Sequence, residues 1–109
     1  MSSAPLREPT YFILTALAGG PAHGYRLLQL IEQLSEGRVR LRAGTLYAAL
    51  DRLERDGYIT LDSTVVEGGP PRRSLVLTPS GRDLLQAEVD RLQANAAVGR
   101  ASLRHGLTT

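Results

Sequence analysis

Apolar positions recur along this chain with two periods, one helical and one alternating, and the switches between them mark its elements. Residues 8–18 are largely apolar and helix-compatible, with Pro9 in the first turn, where its missing N–H costs nothing. Gly19-Gly20-Pro21 ends that helix. Leu27, Leu30, Ile31 and Leu34 predict a second helix over residues 23–36, with these four as its buried stripe and Gly37 as its stop. Residues 38–42 alternate and predict a short strand, with Val39 and Leu41 on one face and Arg38, Arg40 and Arg42 on the solvated one. The helical period returns over 43–56, where Leu46, Leu50 and Leu53 fall at i, i+4 and i+7, and Gly57 closes it. Residues 58–66 alternate through Ile59, Leu61 and Val65, and 72–77 return with Leu75 and Leu77 on one side of a Glu67-Gly68-Gly69-Pro70-Pro71 turn. Thr78 and Pro79 suit the N-cap and first position of a last helix. Along it, Leu85, Val89, Leu92, Ala96, Gly99 and Leu103 keep the 4-3-4-3-4 spacing of a packing seam. Met1 to Arg7 reads as a short flexible arm.

The order predicts a mainly α fold with a small β-hairpin. A length of 109 residues fits one compact unit. Within it, residues 1–78 carry the short helices and the hairpin, and 79–109 form the long final helix.

Net charge is only +2 at a sequence pI near 9.5, which does not by itself point to nucleic acid. The kind of charge says more. All 13 basic residues are arginine, the side chain suited to bidentate phosphate and guanine contacts. The absence of cysteine excludes disulfides, thiol catalysis and cysteine metal sites. The longest apolar run, Tyr11 to Ala18, is too short to span a bilayer, and no signal-type segment opens the chain, so a cytoplasmic protein without membrane contact is expected. His23 and His105 lack metal-ligand spacing, and His23 fits better as a cap or packing residue before the second helix. No nucleophile–base arrangement or phosphate-binding glycine loop is present, so neither enzyme activity nor a cofactor is expected.

The third predicted helix is the candidate reader of a partner. Opposite its leucine stripe and on its flanks stand Gly44, Thr45, Ala48, Arg52 and Arg55. Small residues there allow close approach, and the arginines supply positive charge. The major groove admits one α-helix and meets its N-terminal residues first, which gives Thr45 a base edge or phosphate and Tyr47 a phosphate oxygen. Arg72 and Arg73 follow the hairpin tip, and adjacent strand residues point to opposite faces, so at least one faces the partner. Arg42 stands beside the reading helix, and Tyr25 can place its hydroxyl on a phosphate. A helix followed by a basic hairpin is the arrangement of a winged helix-turn-helix. The same scaffold also serves protein–protein interaction without DNA.

Three blocks carry a family likeness: residues 23–27 (His-Gly-Tyr-Arg-Leu), residues 44–59, and residues 69–73 with 77–81. In order and spacing they resemble the short form of the PadR family of bacterial transcriptional regulators. The resemblance implies a homodimeric repressor on an inverted-repeat operator. It makes Tyr25, Thr45, Tyr47, Arg72 and Arg73 DNA contacts, and makes the Leu85–Leu103 seam the dimer surface. The chain departs from the family's pattern in two places: Ala48 follows the Leu-Tyr pair where proline is frequent, and Ser74-Leu75 replaces an aromatic pair. Some members bind planar effectors between aromatic rings. This chain has no tryptophan and no aromatic residue after Tyr58, so a pocket for an unknown small-molecule effector would use Tyr11 or Phe12, with Leu92.

Overall fold

The computed structural model describes residues 4–65, 68 and 72–108. Four helices and three short strands follow one another as α1 (Glu8–Ala18), β1 (Ala22–His23), α2 (Gly24–Leu34), α3 (Ala43–Arg55), β2 (Ile59–Val65), β3 (Arg72–Leu77) and α4 (Pro79–Thr108). The strands form one antiparallel sheet in the order β1-β3-β2. Ile59 pairs with Leu77 and Leu61 with Leu75; the register then shifts, and Ser63 faces Ser74, which leaves Asp62 as a bulge. The predicted turn lies outside the described residues except for Gly68, which has a φ of 63°.

Apolar faces of α1, α2, α3 and the sheet meet in one core. Ile13, Leu14, Leu17, Leu27, Ile31, Leu46 and Ile59 are its fully buried large side chains. Helix α3 buries Leu46, Leu50 and Leu53, as the i, i+4, i+7 spacing requires, and so turns its other face outward.

Four expectations are corrected. Residues 38–42 form no strand. Their alternation instead records two anchor points: Val39 is buried, its N–H donating to the buried Ser35 Oγ at 2.9 Å, and Leu41 packs on the core. The sheet's third strand is β1, two residues long. Helix α2 is shorter than 23–36. His23 caps it, Nδ1 accepting from the Arg26 N–H at 3.2 Å, and Leu34 ends it at 45% exposure rather than in the stripe. Beyond Leu34 the chain turns off through Glu36, whose left-handed φ of 54° closes the helix with the Gly37 N–H on the Glu32 carbonyl at 2.8 Å. Helix α3 stops at Arg55, one residue early, in the same motif with Gly57 at φ 83°. Finally, of the expected arm, residues 1–3 lie outside the described residues and the rest is tied down at one point: Leu6 packs on the core, and its backbone N–H meets the Glu88 carboxylate of α4.

Glu88 is 4% exposed and also accepts from Arg91 Nε at 2.9 Å and from Nη2. The Arg91 hydrogen bond, and after it the Leu6 N–H, hold its carboxyl below the ordinary 4.5 against the opposing effect of burial. A lowered folded pKa contributes stability that is present above the unfolded value and lost as pH falls through the folded one. Thermal midpoints are therefore expected to fall on acidification below about pH 4.5, and Glu88→Gln to remove part of that slope; an unchanged slope would refute the role.

Helix α4 begins by packing on α1 and β3, and its second half is exposed. Leu84 and Leu85 lie against the core and Val89 is half-buried, whereas every residue from 92 to 106 is exposed. Of the seam, Leu85 and Val89 thus face inward in part, and Leu92, Ala96, Gly99 and Leu103 face solvent.

Candidate nucleic-acid interface

The two strands after α3 fold back beside it, so that one surface carries the outer face of α3, the N-terminus of α2 and the start of β3. A groove of about 370 Å³ runs between them, lined by His23, Gly24, Tyr25, Tyr47, Leu50, Asp51, Glu54, Arg72, Arg73 and Leu75. Four of the predicted contact residues, Tyr25, Tyr47, Arg72 and Arg73, therefore meet in one place. Tyr25 is 65% exposed and Tyr47 53%, so neither ring is a core residue. Tyr47 lies over Gly24: a β-carbon there would sit 2.6 Å from its hydroxyl oxygen. Glycine at the start of α2 is thus what lets the Tyr47 ring settle across the helix.

On the other edge of α3, Gly44, Thr45, Ala48 and Arg52 line a second groove of about 490 Å³, completed by Arg7, Pro9, Thr10, Leu41 and Ala49. It contains two arginines and no acid. Arg42 is the exposed N-cap residue of α3, with no side-chain cap. Gly44, Thr45 and Ala48 are exposed, so the small edge foreseen for the reader helix is open to a partner.

Other assignments are separated from this surface. Arg40 pairs with Glu32 at 3.2 Å. Arg38 lines a cleft of about 400 Å³ with Leu6, Glu8, Tyr11, Phe12, Glu88, Arg91 and Leu92. That cleft unites Tyr11, Phe12 and Leu92, and the two rings stand edge to face at 5.2 Å. Among the described residues no group of three or more His, Cys, Asp and Glu could hold a metal, and no helix is long and apolar enough to cross a membrane.

Sequence reasoning missed Arg7, Asp51 and Glu54 in these grooves. Glu54 accepts from Arg73 Nη2 at 3.0 Å, across 19 residues of sequence. Its place was readable once α3 was fixed, because it follows Tyr47 and Asp51 along one side; its partner was not.

This three-helix core with a hairpin beside the third helix defines a winged helix-turn-helix. A family model described as the transcriptional regulator PadR-like family matches residues 13–87, more than half of the chain, and the protein belongs to that family. The family is one of regulators, not enzymes. Transcriptional regulator Rv3488 of Mycobacterium tuberculosis is 41% identical over 73 residues, covering 67% of this chain and 64% of its own. Transcriptional regulator YqjI of Escherichia coli is 31% identical over 81 residues, 74% of this chain and 37% of the relative. A 37.1 kDa protein of a Streptomyces fradiae transposon is 43% identical over 76 residues, 70% of this chain, of which only 20% of the relative is matched. The chain thus spans between a fifth and two thirds of these relatives. Among solved structures, a PadR family transcription regulator from Clostridium difficile aligns with a TM-score of 0.71 at 24% identity, over 89% of this chain and 99% of that one. Bacillus subtilis PadR in complex with operator DNA aligns with a TM-score of 0.66 at 27% identity, over 82% and 48%.

Proposed function

We propose that this protein is a sequence-specific DNA-binding regulator that represses transcription as a homodimer on an inverted-repeat operator. The observation that carries the reading is the exposed edge of α3, where Gly44, Thr45 and Ala48 stand between Arg42, Arg52 and the wing arginines Arg72 and Arg73. Small side chains let the helix sink into the major groove, and Thr45 reads base edges. The arginines and the hydroxyls of Tyr25 and Tyr47 hold phosphates and fix the register. The likeness to Bacillus subtilis PadR bound to operator DNA supports the same use of the scaffold here.

Residues 1–78 serve as the DNA-binding unit and 79–109 as the dimerisation helix. The exposed stretch from Leu92 through Ala96, Gly99 and Leu103 continues the line of Leu85 and Val89 and meets its symmetry mate. Two reader helices then face half-sites about 34–36 Å apart, and the bound dimer blocks polymerase. Leu92→Asp is expected to turn the dimer into monomers in sedimentation; an intact dimer would refute the seam. The cleft at Tyr11, Phe12 and Leu92 lies where α1 meets α4. A small-molecule effector held there would alter the angle between protomers and weaken both half-site contacts together.

The test is binding to a labelled duplex from the gene's own upstream region, against a scrambled duplex, over a salt series. Specific binding whose logarithm falls with log salt at a slope of roughly −5 to −7, from six to eight phosphate contacts, is the expected result. Weak, equal and salt-insensitive binding would favour a winged-helix protein-interaction module.

A further inference from the structure

The groove between α3 and β3 holds two carboxylates, Asp51 and Glu54, beside Arg72 and Arg73. Negative charge on a surface that meets a phosphate backbone works against binding, so its placement calls for a reason. Glu54 is not needed to hold the hairpin, because β3 is already paired on both sides, with β1 and with β2. Nor does the ion pair contribute much to stability. Its side chains are 55% and 30% exposed, and solvent-exposed pairs of this kind add little to stability. What Glu54 does is occupy the guanidinium of Arg73 with an oxygen anion at 3.0 Å, the same kind of contact a phosphate oxygen offers.

We propose that Glu54 sets the protein's absolute affinity for duplex DNA by competing with backbone phosphate for Arg73. This inference rests on the DNA-binding reading above. In the free protein Arg73 is spoken for. On binding it leaves the carboxylate for a phosphate, and Glu54 is left charged beside the duplex and takes up a cation from solution. The counterion released by Arg73 is thereby offset in part. Because phosphates are alike in every duplex, the effect lowers affinity for target and non-target DNA equally. Glu54 is a positioning residue, acting through Arg73 rather than on DNA.

The experiment is a double-mutant cycle: wild type, Glu54→Gln, Arg73→Ala and the double variant, each titrated with upstream and scrambled duplexes over a salt series. Glu54→Gln is expected to bind both duplexes about three- to tenfold more tightly at 0.1 M salt, with a salt slope steeper by up to about one unit per protomer. In the Arg73→Ala background the same substitution is expected to bring a distinctly smaller gain, that of removing the carboxylate's own repulsion of phosphate. An equal gain in that background would overturn the proposal, since Glu54 would then act as a general negative charge. Unchanged affinity of Glu54→Gln, with the wild type binding normally, would also overturn it. Failure of the wild type itself to bind duplex is a different result, and it defeats the DNA-binding reading together with this inference.

Discussion

Gly81→Ala is expected to destabilise the protein by about 3 kcal/mol, which lowers the thermal midpoint by roughly 12–24 °C. A β-carbon at Gly81 would lie 1.9 Å from the Tyr58 carbonyl oxygen and 2.9 Å from its carbon. Both neighbours are backbone, so no rotamer relieves the overlap. The backbone is also fixed from both sides. The Tyr58 carbonyl accepts the Thr78 N–H at 3.1 Å, Thr78 Oγ1 donates to the Gly57 carbonyl at 2.6 Å, and the Gly81 N–H donates to Thr78 Oγ1 at 3.0 Å. To admit one methyl group, the start of α4 must lift from the end of α3, breaking a cap and opening the sheet beside Ile59. Gly44→Ala is the control. It sits in α3 with nothing within 4 Å of the new atom, and alanine is the better helix former there. Calorimetry that finds both variants within 2 °C of wild type, roughly 0.5 kcal/mol or less, would dismiss the contact.

The second large effect is on binding. Removal of both wing arginines by Arg72→Ala/Arg73→Ala is expected to lower affinity for every duplex by about two to three orders of magnitude at 0.1 M salt. In the proposed dimer four phosphate contacts are lost, each worth about 0.9 in the slope of log affinity against log salt, less the part that Glu54 offsets at Arg73. The lower end of the range reflects Arg73, part of whose charge Glu54 already occupies. Both side chains are exposed, so folding survives and the ratio of target to non-target affinity is retained. Specificity that collapses while the salt slope holds would place base contacts, not phosphate contacts, on the wing.

The helices were legible because their cores are periodic: Leu46, Leu50 and Leu53 fixed which side of α3 turns inward, and hence which side is left open. The hairpin was legible from alternation and from the change of composition at Glu67. Strand β1 was not, because two residues carry no period; Ala22 and His23 pair with Leu75 and Ser74 only once β3 is in place. The false strand at 38–42 has the converse cause. Alternation reports which side chains are anchored, and Val39 is anchored by the Ser35 hydroxyl rather than by a neighbouring strand. At the site, the arginines and tyrosines announced themselves by type and position. The Glu54–Arg73 pair did not, since it joins residues that only the fold of the wing brings together. The tie of Leu6 to Glu88 was hidden for the same reason.

The exposed half of α4 has a mechanical consequence. From Leu92 to Gly106 the helix is about 21 Å long at 1.5 Å per residue, and every residue along it is exposed. In a dimer joined along this arm, a tilt of about 10° at its root displaces the far end by nearly 4 Å, more than the rise of one base-pair step of about 3.4 Å. In the dimer proposed above, the arm would act as a lever pivoting at the Leu6, Glu88 and Arg91 junction. On that reading, a shift too small to disturb the core of either protomer would be geared up to the spacing at which two α3 helices fall in or out of step with the turns of a duplex.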